Sequence, residues 1–179
     1  RSAEIEADIA VNPGRYRMFT GVRPTGNMHL GHYFGTMHSW KTIQDAGVDT
    51  WILVADYQVI TDRDAVGPIR ERVLSLVTDA LAVGVDPQRS TIFAHSAVPA
   101  QNQLMLPFLS LVTESELHRN PTVKSELEAT GGRAMSGLLL TYPVHQATDI
   151  LFCQANLVPV GKDQLPHLEQ ARLIAQRFD

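Results

Sequence analysis

An α/β protein built on a parallel sheet is predicted by three features of the 179-residue sequence. Short strand-like runs alternate with longer stretches of helical period over most of the chain. DTWILVAD (Asp49 to Asp56) is the kind of brief, continuous apolar run found in a buried parallel strand. Gly and Pro fall where such elements should start and stop.

The elements follow in order. Residues 1–15 form an acidic leader without an apolar h-region, so they do not read as a secretion signal. YRMFTGV (Tyr16 to Val22) is β-branched and aromatic and stops at Pro24 and Gly26, which predicts the first strand. From Gly31 to Ala46, Phe34, Met37, Trp40 and Ile43 recur every third position, predicting a helix packed on one face. DTWILVAD is the second strand. Gly67 to Val83 has helical period, with Pro68 suited to a first turn and Gly84 to a C-terminal cap. STIFAHS (Ser90 to Ser96) is a third strand, and a helical insertion follows over about 97–140. NLVPV (Asn156 to Val160) is expected as a further strand, with Gly161 and Asp163 opening a last helix through Phe178. This order describes a parallel sheet wrapped by helices.

Composition removes several classes of function. Apolar residues make up 44% of the chain, ordinary for a globular domain, and no run reaches transmembrane length. The single cysteine, Cys153, excludes an internal disulfide and a multi-cysteine zinc site. A formal net charge of −4 argues against a whole-surface nucleic-acid binder. A cytoplasmic protein with no membrane contact is the simplest reading.

Parallel sheets bind ligands at the carboxyl ends of their strands, near the point where strand order reverses. RPTGNMHLGH (Arg23 to His32) follows the first strand. Gly26 and Gly31 permit close backbone approach, a helix N-terminus offers N–H groups to anions, and His29 and His32 can donate to a phosphate whose charge is shifting. Two further readings stand beside this one. A histidine can simply cap the turn, and histidines three apart can ligate a metal, although no HExxH, cysteine pair or evident third ligand accompanies them. There is no GK[ST] of a Walker loop.

VPVGKDQ (Val158 to Gln164) again runs from a strand into a helix. Asp163 can accept from hydroxyls such as a ribose pair, or it can be an ordinary helix cap. In TYPVHQATDI (Thr141 to Ile150), Tyr142, Gln146 and Asp149 share one helix face. A carboxylate buried among Ile150, Leu151 and Phe152 would require a specific polar partner, whereas an exposed polar face would require none.

Taken together, these stretches resemble the class I aminoacyl-tRNA synthetases, and within them the tryptophanyl-tRNA synthetase family. HLGH at 29–32 looks like the first signature of that class, FTGVRPTG like the family's opening strand, and YPVHQATDILFCQANLVPVGKDQLPHLEQARLIAQRF is similar to its amino-acid and nucleotide segments. The resemblance runs from about Phe19 to the chain's last residue, interrupted in the insertion. It implies a Rossmann-like nucleotide-binding domain over 16–179 with a helical insertion. It also implies a tryptophan–tRNA ligase that forms tryptophanyl-adenylate from L-tryptophan and ATP with Mg²⁺, then charges tRNA(Trp). His29, His32 and Lys124 would be catalytic. Arg23, Pro24, Thr25, Gly31, His32, Gly161, Lys162 and Asp163 would bind ATP. Phe19, Gln58, Tyr142, Gln146, Asp149, Val158, Val160 and Gln164 would bind tryptophan, with no metal ligand among the side chains. A homodimer is implied as well.

The family continues with a further strand, a KMSKS-like loop and an anticodon-binding domain. The chain therefore reads as the catalytic-domain portion, expected by itself to activate tryptophan slowly and to charge no tRNA. His32 stands where the family commonly has Asn, Gln146 where it often has Met, and Gln58 where it often has His. Gln146 with Asp149 also resembles the pocket of tyrosyl-tRNA synthetases, which makes tyrosine the competing amino acid. A small nucleotidyltransferase would share the HxGH motif but not the YPVxQAxD helix. A non-catalytic paralogue that binds tryptophan would carry the pocket without the chemistry.

Overall fold

The computed structural model describes residues 2–61, 67–129 and 135–179. Asp62, at the end of ADYQVITD, and residues 130–134 of the expected insertion lie outside the described residues. The chain forms two compact units, Arg1–Ala97 with Gln154–Pro159, and Val98–Cys153 with Val160–Asp179. The second unit thus begins close to the expected start of the insertion but also takes in the helix of TYPVHQATDI and the last helix of the chain.

The first unit holds the sheet. Strands β1 (Arg17–Val22), β2 (Asp49–Val54) and β3 (Ser90–Ala94) are all parallel, in the order β1-β2-β3. Thr50, Ile52, Leu53 and Val54 of β2 are all buried, so both faces of that strand are covered. That is what a continuous apolar run requires.

The further strand expected at Asn156–Val160 is not formed. Only Leu157 pairs, as a single parallel bridge to Met18. Its N–H donates to the Arg17 carbonyl at 3.1 Å, and its carbonyl accepts from Phe19 N–H at 2.9 Å. Pro159, two residues on, has no N–H with which to continue a ladder. The bridge still lies on the opposite side of β1 from β2, so the direction of pairing reverses at β1. The loop that carries the two histidines follows that strand.

The helices after β1 and β2 share one core with one sheet face. After β1 come α2 (Leu30–His32), a π turn (Tyr33–Met37) and α3 (His38–Asp45). Met37 and Trp40 are buried with Met18, Ile52 and Ala80 of α4 (Ile69–Ala82), and Ile43 packs beside them. Phe34, expected in the same stripe, is 74% exposed. The wider π turn rotates it out of the stripe, and Tyr33 packs on the core instead.

Local chemistry marks the remaining boundaries. Gly84 ends α4 with φ at +98°, a left-handed conformation in which glycine has no Cβ to clash. Gln44, buried near the end of α3, accepts from Asp86 N–H at 2.7 Å and from Ser90 Oγ at 2.8 Å, tying that helix to the start of β3. The leader carries its own helix, α1 (Ser2–Val11), with Ile9 on the sheet core. Asp8 accepts from Tyr16 Oη at 2.6 Å and Asn12 Nδ2 at 2.8 Å, and these hydrogen bonds hold its carboxyl below the usual range.

The second unit is helical: α5 (Pro99–Gln103), α6 (Met105–Leu109), α7 (Glu114–Arg119), α8 (Pro121–Ala129), α9 (Gly137–Phe152) and α10 (Leu165–Phe178). Thr113 and Glu116 close a capping box on α7. Arg177 of α10 then clamps Glu116, donating to Oε1 at 2.6 Å and to Oε2 at 3.1 Å. That guanidinium, helped by Thr113, lowers the Glu116 carboxyl to about 2. No helix among the described residues is long and apolar enough to cross a membrane.

Candidate active site

In the first unit the predicted residues gather in the turn from β1 into α2. Pro24 is buried, whereas Arg23 and Thr25 are exposed beside it. His29 is the N-cap of α2. Its Nδ1 accepts from Gly31 N–H at 3.1 Å, while His29 N–H donates to His32 Nδ1 at 3.3 Å. The two rings lie 4.0 Å apart at 49°.

This arrangement changes what the turn can offer. The backbone N–H groups of His29 and Gly31, expected to be open to an anion, are already used by the imidazoles. With each Nδ1 an acceptor, a neutral ring carries its proton on Nε2, so the outward donors are the two Nε2–H groups. Capping and phosphate donation were competing roles on the sequence. Here the capping uses Nδ1 and leaves Nε2 for a ligand.

Gly31 is required by this packing. A Cβ there would lie 2.9 Å from His29 Cε1 and 3.0 Å from Nδ1. Also in the first unit are Phe19, buried on β1, and Gln58, half-buried in the 3₁₀ turn Tyr57–Thr61. Val158 is half-buried beyond the Leu157 bridge.

In the second unit α9 presents three predicted residues to three neighbours. Tyr142 Oη lies 3.3 Å from His167 Nε2 of α10. Gln146 Nε2 donates to Gln164 Oε1 at 3.4 Å, and Gln164 Nε2 donates to Asp163 Oδ2 at 2.7 Å. Asp149 is 2% exposed and accepts a hydrogen bond from Gln101 Nε2 of α5. The exposed-face reading of this helix is therefore wrong, and the polar partner that a buried carboxylate demands is Gln101.

Asp163 is not a helix cap: Gln164 is the N-cap of α10 and makes no side-chain cap bond, and the 3₁₀ turn Lys162–Gln164 begins after Gly161. The Asp163 carboxylate folds over Gly161, where any Cβ would collide with Oδ1. Gly161, Lys162 and Val160 are exposed in this turn, and Lys124 is exposed on α8.

Three residues escaped the sequence reading. Gln101 was invisible because its partner is 48 residues away and no period links them. His167, buried in α10, has its imidazole pushed towards the neutral form by burial, partly opposed by the Asp163 charge. Asp56, buried at the end of β2, accepts from Tyr57 N–H at 3.1 Å and Ser96 N–H at 3.3 Å, joining the ends of β2 and β3. A charged residue closing an apolar run was the available signal for it.

Residues 12–179 match the family described as tRNA synthetases class I (W and Y). The chain belongs to that family. Among curated relatives it is 44% identical over 166 residues to tryptophan–tRNA ligase of Clostridium longisporum, spanning 90% of this chain and 48% of that one. It is 43% identical to the same ligase of Streptococcus agalactiae, with the same coverage. The chain thus spans about half the length of these relatives.

Solved structures of the family agree. Tryptophanyl-tRNA synthetase of Campylobacter jejuni superposes with a TM-score of 0.82 at 31% identity, over 91% of this chain and 50% of that one. The same enzyme complexed with ADP and tryptophan gives 0.81 over 90% and 50%. Tyrosyl-tRNA synthetase of Archaeoglobus fulgidus, at 23% identity and a TM-score of 0.74, shares the fold. The α/β architecture read from the sequence is therefore the Rossmann-like domain of class I synthetases.

Proposed function

We propose that this chain supplies the amino-acid-activating part of a tryptophan–tRNA ligase. The observation that supports this reading most is the buried Asp149 on α9, a carboxylate kept in an apolar helix where an indole N–H needs an acceptor. The identity of 44% and 43% to tryptophan–tRNA ligases favours tryptophan over tyrosine. The C. jejuni relative complexed with ADP and tryptophan supports ATP as the second substrate.

The chemistry is a displacement at phosphorus. The tryptophan carboxylate forms a bond to the α-phosphorus of ATP, and the bond to pyrophosphate breaks. His29 and His32, through Nε2–H, stabilise charge on the pentavalent phosphorus, and Lys124 reaches the phosphates. Arg23, Pro24 and Thr25, with Gly31 and His32, hold ATP, while Gly161, Lys162 and Asp163 hold its adenosine.

Asp149 accepts the indole N–H, Tyr142 and Gln146 receive the ammonium group, and Gln164 donates to the carboxylate. Phe19, Val158 and Val160 wall the ring, and Gln58 is a further tryptophan-binding residue. Mg²⁺ brought in with ATP would supply further positive charge to the phosphates. Catalysis in this scheme is positioning and charge stabilisation, with no covalent enzyme intermediate. Transfer to tRNA(Trp), a homodimeric assembly and a cytoplasmic location belong to the same reading.

The test is calorimetry on Asp149→Ala. Leaving the indole N–H unpaired should cost about 1–3 kcal/mol of tryptophan affinity, with ATP affinity unchanged. Unchanged tryptophan affinity would remove Asp149 from the pocket. Tighter binding of tyrosine than tryptophan by the unmutated protein would replace the amino acid.

A further inference from the structure

We propose that Gln101 is a positioning residue for amino-acid recognition: its amide holds the Asp149 carboxylate in the orientation that receives the substrate's ring N–H. This rests on the reading of Asp149 as that acceptor. Gln101 stands on the short helix α5 and is 0% exposed, and Asp149 on α9 is 2% exposed. Gln101 Nε2 donates a hydrogen bond to Asp149 Oδ1. A carboxylate only accepts, so the amide must present its NH₂ here, and the orientation follows from charge.

Two further observations assign the role to Gln101. The neighbouring imidazole of His145 has Nε2 at 3.9 Å from the same oxygen, beyond hydrogen-bond reach, and lies 2.8 Å from Asn102 Oδ1. Gln101 and Asn102 thus address Asp149 and His145 separately. The Gln101 Oε1 atom, moreover, is buried without a hydrogen-bond partner among the described residues. An apolar side chain would fill the space without stranding an acceptor, so packing does not explain a glutamine; its donor does. A neutral donor also fixes the carboxylate without cancelling its charge, as an ammonium or guanidinium would, and leaves it a strong acceptor for the ligand.

The experiment compares tryptophan with β-(3-benzothienyl)alanine, which has the same shape with sulfur in place of the ring N–H. Affinities of both, and of ATP, are measured for the unmutated protein, Gln101→Met and Asp149→Ala. Gln101→Met keeps the length and removes the donor. Its expected effect is a loss of tryptophan affinity by roughly 10- to 100-fold, from the range for hydrogen bonds to charged groups, with the analogue and ATP bound as before. Gln101→Leu, similar in volume and also without a donor, carries the same expectation if the methionine variant does not fold.

Retention of full discrimination by the donor-free variant overturns the proposal, as does equal weakening of both amino acids, which would mean general loosening of the pocket. The underlying reading fails in a different way. The unmutated protein and Asp149→Ala would then bind tryptophan and the analogue in the same ratio, so that removing the acceptor changes nothing.

Discussion

Substituting Gly31 by alanine separates stability from activity at the histidine pair. Gly31 lies inside α2 and is not among the glycines with positive φ, so its backbone accepts alanine without strain. In a helix that exchange favours the folded state by about 0.5–1 kcal/mol. The added Cβ would stand 2.9 Å from His29 Cε1 and 3.0 Å from Nδ1, too close for the ring to stay. His29 is exposed and can swing away, giving up the cap bond it accepts from Gly31 N–H at 3.1 Å. Loss of a cap costs about 0.5–2 kcal/mol, so the two effects largely cancel in stability.

Activity should not cancel. In the proposed mechanism a displaced ring would no longer aim its Nε2–H at the phosphorus, and removal of one such donor costs roughly 10²–10³ in rate. Thermal melting and ATP–pyrophosphate exchange measure the two quantities on one preparation. The expected result is a melting point within a few degrees of the unmutated protein and a much reduced exchange rate. A normal exchange rate would refute the role of His29 as a donor. A large drop in melting point would refute the claim that only the ring must move.

His32→Ala should lower the single-turnover adenylation rate by a similar factor of roughly 10²–10³ with little change in ATP affinity, and an unaffected rate would exclude it from the chemistry. The Glu116–Arg177 clamp predicts an acid limb in stability. Because the folded carboxyl is lowered from 4.5 to about 2, its contribution is fully present above the unfolded value and is lost as pH falls from there towards 2. Arg177→Gln should flatten that limb in denaturant titrations across the acid range, and an identical pH profile would show that the clamp contributes nothing.

The three strands, the helix closed by Gly84 and the long helix α9 were legible in the sequence because each depends on local signals. Those signals are β-branched or apolar runs, turn residues at their ends, and the period of a helix face. The segment with Asn156 was not legible in the same way. NLVPV has strand composition, but Pro159 and the available edge of β1 reduce it to one bridge at Leu157. Phe34 fits a helical period that the π turn breaks, and only packing against Met18 and Trp40 selects Tyr33 in its place.

The sequence by itself determined the alternation that makes a parallel sheet, the family, and the residue types presented after β1 and on α9. The tertiary structure alone decided which nitrogen of each histidine faces outward, because that follows from backbone N–H groups occupying both Nδ1 atoms. It also decided that Asp149 is buried and that Gln101 is its partner. A hydrogen bond between side chains 48 positions apart leaves no periodic trace in a chain, since it depends on where two helices come together and on nothing between them.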